Sequence, residues 1–444
     1  MTRKAAGRRF RRPGVIPALP RPVWIVLGGD FASAVGSGLT LPFLFIYAHR
    51  VRGLSDGMAG LVVATIALAS LVGNPLGGAL ADRWTSRRAL MVGLAVAAAG
   101  SAALAFARTP AELFGAAGLL GLGVSVIWPA QDALLASLAD PERRSAVFAV
   151  RHACFNAGLG LGALAAAAVV SVAHPATFSA IYLVDAASFL AFVPILARLR
   201  SPIQIGQQAS ASPTLETQRV RFRDVLRDRA FVRVWALTAV LVTVSFAQSQ
   251  SSFAGYATRP GGIGPHGLAL AFAANTLTVV GAQLFVLRRL AGLRRTTAAA
   301  LAAVAWAASW AVVIVGGHLG SGVAAEAAFA GAMVIFALGE CLLSPTLPAI
   351  INDLAPAQAV GRYNGLGILA FTIGFLLGPA TGGAALGAGW GTGLFIVLAL
   401  TCVAAATFAL RLGRHLPAAA NRIPAEQPAI PEQEACGEYQ TVTV

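Results

Sequence analysis

Five ionisable side chains interrupt stretches that are otherwise apolar for about 20 residues: Asp30, Asp132, Arg151, Asp185 and Glu340. A charged side chain near a bilayer centre costs at least about 2.5–3.5 kcal/mol on insertion scales, so each is a functional candidate unless a neighbour satisfies it. At about 1.5 Å of helical rise per residue, Asp132 and Arg151 lie roughly 10–13 Å in from the same side of the membrane, on adjacent antiparallel helices. They are expected to form a structural ion pair. Glu340 lies nearest the midplane, about 20 Å in. A carboxyl group that alternates between dry and wet surroundings takes up and releases a proton. Glu340 and Asp30 are therefore the candidates for proton coupling or for holding a cationic substrate.

The elements that carry these groups follow from composition. Of 444 residues, 57% are hydrophobic and 11% charged, and the mean hydropathy is +0.73. Soluble domains carry about 25% charged residues, so the composition is that of a membrane protein. Twelve stretches are long enough to span: 22–48, 56–82, 87–108, 112–138, 143–172, 177–199, 231–257, 265–288, 295–317, 323–353, 361–386 and 390–414. The first is too long for a cleaved signal peptide, and similar spans follow it. The chain also contains a copy of itself. Residues 128–138 (WPAQDALLASL) lie over 344–354 (SPTLPAIINDL) without a gap, and the same offset of 216 carries Gly123 onto Gly339, Phe155 onto Phe371, Gly158 onto Gly374 and Gly162 onto Gly378. Two related apolar halves of six spans each are the signature of a transporter that rocks one half against the other around a central site.

The net charge of +15 is not a nucleic-acid footprint. Among 33 Lys+Arg residues, only Arg50, Arg52, Arg108 and Arg259 fall in the loops on one side; nearly all the rest fall on the other. This positive-inside bias predicts both termini in the cytoplasm and assigns the basic excess to topology and anionic lipid. Cys154, Cys341 and Cys402 lie in spans and Cys436 in the tail, so no structural disulfide is expected, and metal-ligand spacing is absent. The polar stretch 201–230 reads as a cytoplasmic linker between an N-terminal bundle (21–200) and a C-terminal bundle (231–415). Residues 1–20 and 416–444 read as a basic and a disordered cytoplasmic tail. With short loops elsewhere, no room remains for a catalytic domain outside the membrane. Gly158 and Gly162 in span 5, and Gly374, Gly378, Pro379 and Gly382 in span 11, have the small-xxx-small spacing that lets helices approach closely in lipid. Their matched positions predict a tightly packed pair at the interface between halves.

Residues 78–88 (GALADRWTSRR) resemble the loop between helices 2 and 3 of the major facilitator superfamily, Gly-x-Leu-Ala-Asp-Arg-x-Gly-Arg-Arg/Lys, with Thr85 and Ser86 in place of the usual Gly and Arg. Gly374-x-x-x-Gly378-Pro379-x-x-Gly382-Gly383 resembles a pattern that marks helix 5 in the drug:proton antiporter branch; here it stands in span 11, and the span 5 copy has Ala163 for the proline. Gln248, Gln250, Asn275 and Gln283 are also similar to residues of bacterial multidrug-efflux members. The resemblance covers nearly all of residues 22–414. It implies an all-α membrane fold of twelve helices in two pseudo-symmetric six-helix bundles, and no cofactor. It further implies that Gly78, Asp82, Arg83, Arg87, Arg88 and Arg362 form a gate. The Asp82 carboxylate is expected to face the positive N-terminus of span 11 at Gly361 and Arg362, with the three arginines of the loop completing a network with Asp140 or Glu142. Helix 1 lines the cavity in this fold, which favours Asp30 as the second coupling candidate, and Asp185 resembles a structural residue of helix 6. Span 4 lacks the arginine often linked to proton transfer in antiporters; Ala116, Ala117 and Gly118 lie near its place.

Phe31, Trp128, Phe155, Phe246, Gln248, Asn275 and Phe371 are the expected lining of a wide, mostly apolar cavity suited to lipophilic cations. The reading that follows is a monomeric transporter in a bacterial cytoplasmic membrane, exporting lipophilic small molecules in exchange for protons. The alternatives are a transporter of a defined metabolite (amino acid, sugar or siderophore) and a transport-dead sensor on the same fold. No nucleophile–base constellation or phosphate-cradling loop points to an enzyme.

Overall fold

A computed structural model describes residues 17–199 and 221–423, apart from residues 18 and 172. Twelve helices in it are long and apolar enough to cross a membrane. In chain order they are α1 (Arg21–Val51), α2 (Asp56–Arg83), α3 (Ser86–Phe106), α4 (Pro110–Leu138), α5 (Arg144–Val169) and α6 (Ala176–Arg198), then α7 (Arg229–Thr258), α8 (Pro265–Leu290), α9 (Arg295–His318), α10 (Val323–Leu354), α11 (Val360–Gly387) and α12 (Gly391–Leu412). Each half has its own core. In the first, Tyr47 stacks on Phe178 and meets Tyr182 at a tilt; in the second, Trp306, Trp310 and Phe336 pack together. Large apolar residues such as Leu68, Leu164, Leu277 and Leu400 remain exposed, which is the outward face a lipid-embedded bundle must show.

Local sequence starts the helices. Ser55 accepts from the Met58 amide, Thr85 from Arg88, and Thr109 with Glu112 makes a capping box. Asp228 accepts from the amides of Ala230 and Phe231 at the start of α7. Three spans are discontinuous. α1 passes through a short tight turn at Leu41–Phe43, α7 breaks at Ser245 and Ser251, and α10 breaks between Leu343 and Leu347 at Ser344-Pro345-Thr346. Proline does not decide this alone, since Pro129, at the position in α4 matching Pro345, lies inside an unbroken helix.

Among the described residues, most arginines lie at the connections α2–α3, α4–α5, α8–α9, before α7 and after α12, which share one end of the bundle and make it a basic face. Residues 221–230, expected to be linker, form a turn of helix at Phe222–Val225 and the cap and start of α7. Residues 416–423, expected to be disordered tail, are folded: Ala418–Asn421 is helical, and Leu416, Ala420 and Ile423 are buried. The remaining linker residues, 201–220, and residues 424–444 with Cys436 lie outside the described residues.

Candidate functional site

α1, α4 and α5 bring three of the five intramembrane charges together. Arg151 donates from Nη1 to Asp132 Oδ1, and from Nε to Asp30 Oδ2 at 3.3 Å. Its guanidinium carbon lies 4.6 Å from the centre of the Trp128 ring, and that ring meets Phe155 edge-on at 5.0 Å. Asp30, Asp132 and Arg151 are all buried. Asp132–Arg151 is thus part of a three-member cluster rather than a closed pair. Two carboxylates share one guanidinium, so with all three ionised the cluster carries a net charge of −1. An uncompensated charge away from water is costly, and the cluster does not neutralise itself. Asp30 is held by the longer contact of the two carboxylates.

Glu340 sits in α10 one turn before the break. Asn275 of α8 donates to its carboxylate at 3.5 Å, and among the described residues no cation pairs with it. Gln283, one of the efflux-like residues, is fully buried and bonds to the Cys341 carbonyl and the Ser344 hydroxyl, bracing the broken segment. Asp185 accepts from Ser101 Oγ at 2.8 Å and Thr40 Oγ1 at 3.3 Å, tying α6 to α3 and α1.

At the basic face, Asp82 closes α2 onto the first turn of α11. Its oxygens accept from the Gly361 amide at 2.6 Å, the Arg362 amide at 3.0 Å and Arg362 Nη1 at 2.8 Å. The carboxylate thus answers unpaired N–H groups and the helix dipole together. Above it Gly78 runs against Gly361 and Gly365 so closely that a Cβ at Gly78 would overlap the Gly361 carbonyl. One turn deeper, Asn74 donates to Thr372 at 2.7 Å. The network expected of Arg83, Arg87 and Arg88 does not form. Arg83 and Arg88 are exposed, and Arg87 donates instead to the Leu199 carbonyl at the end of α6, where unpaired carbonyls attract a cation. Neither Asp140 nor Glu142 pairs with them among the described residues.

The second ionic link between halves was missed from sequence. Asp353, at the end of α10, accepts from Arg144 of α5 and from Arg295 of α9 at 2.5 Å. Arg295 also donates to Ser145 Oγ of α5 at 3.2 Å. Asp353 lies at the edge of an apolar stretch, where a carboxylate reads as a solvated helix end; only its alignment within the repeated segment could have drawn notice.

Phe31, Trp128, Phe155, Phe246, Asn275 and Phe371 are half-buried, and Phe246 and Phe371 stand 6.2 Å apart, centre to centre. Gln248 does not belong with them. It is fully buried, donating to the Gly378 carbonyl at 3.0 Å and accepting from Ser252 Oγ at 2.5 Å. The broken helix turns Gln250 outward instead. Gln248→Ala is expected to lower the stability of the detergent-solubilised protein by about 1–3 kcal/mol, because buried partners are left unpaired. Gln250→Ala, at an exposed position, should leave the melting temperature unchanged. The glycines also need correction. Gly158 and Gly162 pack α5 against α1, and Gly374, Gly378 and Gly382, flanking Pro379, pack α11 against α7. Both contacts are inside a half, not between halves; α2 and α11 make the close approach across the interface.

The sequence profile of the Major Facilitator Superfamily matches residues 26–259. The chain belongs to this superfamily. An uncharacterised MFS-type transporter of Bacillus subtilis, YttB, is 28% identical over 371 residues, 82% of this chain and 88% of YttB. The quinolone resistance protein NorA of Staphylococcus aureus is 24% identical over 182 residues, 41% of this chain and 46% of NorA. The solved structure of the transporter FucP in its outward conformation superposes with a TM-score of 0.71 at 15% identity, covering 88% of this chain and 98% of FucP. The protein is a multi-pass membrane transporter.

Proposed function

We propose that the protein exports lipophilic cations in exchange for protons, by alternating access, with its basic face in the cytoplasm. The observation that carries this reading is the excess of buried acid within the spans: among the described residues, Asp30, Asp132 and Glu340 stand against the single guanidinium of Arg151, Asp185 being held by Ser101 and Thr40. A site with more carboxylates than cations holds either protons or a cationic ligand, and the two compete. The half-buried aromatic groups supply apolar area for a lipophilic body. The similarity to a quinolone resistance protein favours drugs over a single metabolite.

Among the described residues, the polar contacts that join the halves (Asp82–Gly361, Arg144–Asp353, Arg295–Ser145 and Asn74–Thr372) run from the basic face to about mid-depth. This arrangement faces outward. In it, protons entering from outside neutralise Asp30 and Glu340 and release the substrate cation. The neutral site then turns inward, loses its protons to the cytoplasm and takes up a new cation.

The test is substrate-induced proton flux in proteoliposomes containing a pH dye, screened with lipophilic cations. Proton release coupled to cation uptake supports exchange. Cation movement without protons leaves facilitated diffusion, and no movement of any cation shifts the reading to a defined metabolite or a sensor.

A further inference from the structure

The gate at the basic face is completed by the segment that follows α12. Arg295 is 1% exposed, and three groups hold it: the Asp353 carboxylate, the Ser145 hydroxyl and the Ala420 carbonyl, which accepts from Nη1 at 2.9 Å. Ala420 belongs to a chain that turns back at Gly413 and runs beneath the α8–α9 loop. Asn421 Oδ1 accepts from the Thr296 amide at 3.0 Å, while its Nδ2 donates to the Gly413 carbonyl at 3.3 Å. α9 has no cap of its own, since the Arg294 side chain makes no such bond, so Asn421 caps it from 125 residues away. Two backbone bonds flank the cap: the Gly292 amide donates to the Ile423 carbonyl, and the Ile423 amide to the Leu293 carbonyl, each at 2.9 Å. Gly292, at φ +82°, makes the turn that exposes this edge. Ile423 fills the space between Leu290 and Ala298.

We propose that residues 418–423 are a strap that positions Arg295 and thereby sets how firmly the basic side is closed. Arg295 of the second half touches both Asp353 and the first half's Ser145. Its other fixed acceptor is supplied by the strap, so a docked strap holds the guanidinium in the closed geometry. A released strap removes an acceptor and the α9 cap together, and Arg295 loses the arrangement that reaches α5. The strap therefore shifts the balance between outward and inward forms without touching the substrate site. This depends on alternating access but not on proton coupling.

The test uses the full chain in nanodiscs, with spin labels at Glu142→Cys and Arg227→Cys, exposed positions on the basic face of opposite halves, in a background free of native cysteines. The double variant Asn421→Ala/Ile423→Asp is expected to raise the population with the longer inter-label distance about tenfold and to speed hydrogen exchange at the Gly292, Thr296 and Ile423 amides. Asn421→Asp, which keeps the oxygen that caps α9, is expected to retain both wild-type signals. Faster exchange with an unchanged distance distribution would overturn the proposal, because the strap would then be released without effect on the gate. Unchanged exchange would overturn it too, by showing that these two residues do not hold the strap.

Discussion

Glu340→Gln is expected to abolish substrate-driven proton movement and to reduce accumulation of a lipophilic cation to its equilibrium level. A difference of one pH unit across the membrane stores about 1.4 kcal/mol per proton, enough for about a tenfold concentration ratio for each proton exchanged against one monovalent cation. Glutamine keeps the size of Glu340 and can still meet Asn275, whose contact with the carboxylate is 3.5 Å. It cannot carry a proton. Loss of accumulation with retained binding would therefore identify a coupling group, whereas loss of binding as well would identify a counter-ion for the substrate. Asp30→Asn should behave similarly with one difference. Arg151 would keep Asp132 as its partner, and the cluster would become neutral without a proton. Uptake that no longer depends on external pH is the expected signature, read as cation accumulation at several fixed pH gradients. Full pH-dependent accumulation in both variants would remove these carboxylates from the mechanism.

Gly78→Val is expected to hold the basic side open and to reduce transport by more than tenfold. The space for a side chain at Gly78 is taken by the backbone of Gly361 and Gly365. Backbone cannot rotate away as a side chain can, so α2 and α11 must separate. Overpacking typically costs about 1–3 kcal/mol. Paid only in the closed form, about 2 kcal/mol shifts the equilibrium roughly thirtyfold toward the inward-open form. The same spin-label pair across the basic face would report this as a longer distance. Asp82→Asn removes the charge and keeps only one acceptor oxygen, so one of the Gly361 and Arg362 amides loses its partner. A charge at a helix N-terminus is worth about 0.3–2 kcal/mol, so that variant should give a smaller shift in the same direction. A shift as large as that of Gly78→Val would mean that electrostatics, not close packing, dominates the closure.

The gate shows how far a local pattern reaches. The contact of Asp82 with Gly361 was legible because residues 78–88 resemble a short, distinctive family loop, which implied a carboxylate facing the N-terminus of span 11. Arg87 stands in the same short stretch, yet it turns to the Leu199 carbonyl, a partner 112 residues away that no spacing indicates. Asp353 was passed over because a carboxylate at the end of an apolar run looks like an ordinary solvated terminus until Arg144 and Arg295 are brought to it. Residues 416–423 read as tail because they are short and follow the last span. Their order comes from unpaired groups elsewhere, the amides at the start of α9 and the buried Arg295.

Sequence by itself determined the twelve spans, the division into related halves, the basic face and the short list of charges inside the bilayer. These depend on length, composition and the cost of moving charge into hydrocarbon, all of which are properties of a segment taken alone. Tertiary structure decided that Asp30 joins Arg151 across 121 positions, that Gln248 is buried while Gln250 faces outward, that the glycine stripes pack within halves, and that the chain end straps the gate. The reason is physical. In a helix apolar on every face, no amphipathic stripe records which side meets lipid and which meets protein. Rotation about each axis is set instead by close packing with neighbours, and at Ser245, Ser251 and Ser344–Thr346 by breaks in the helices that only those neighbours stabilise.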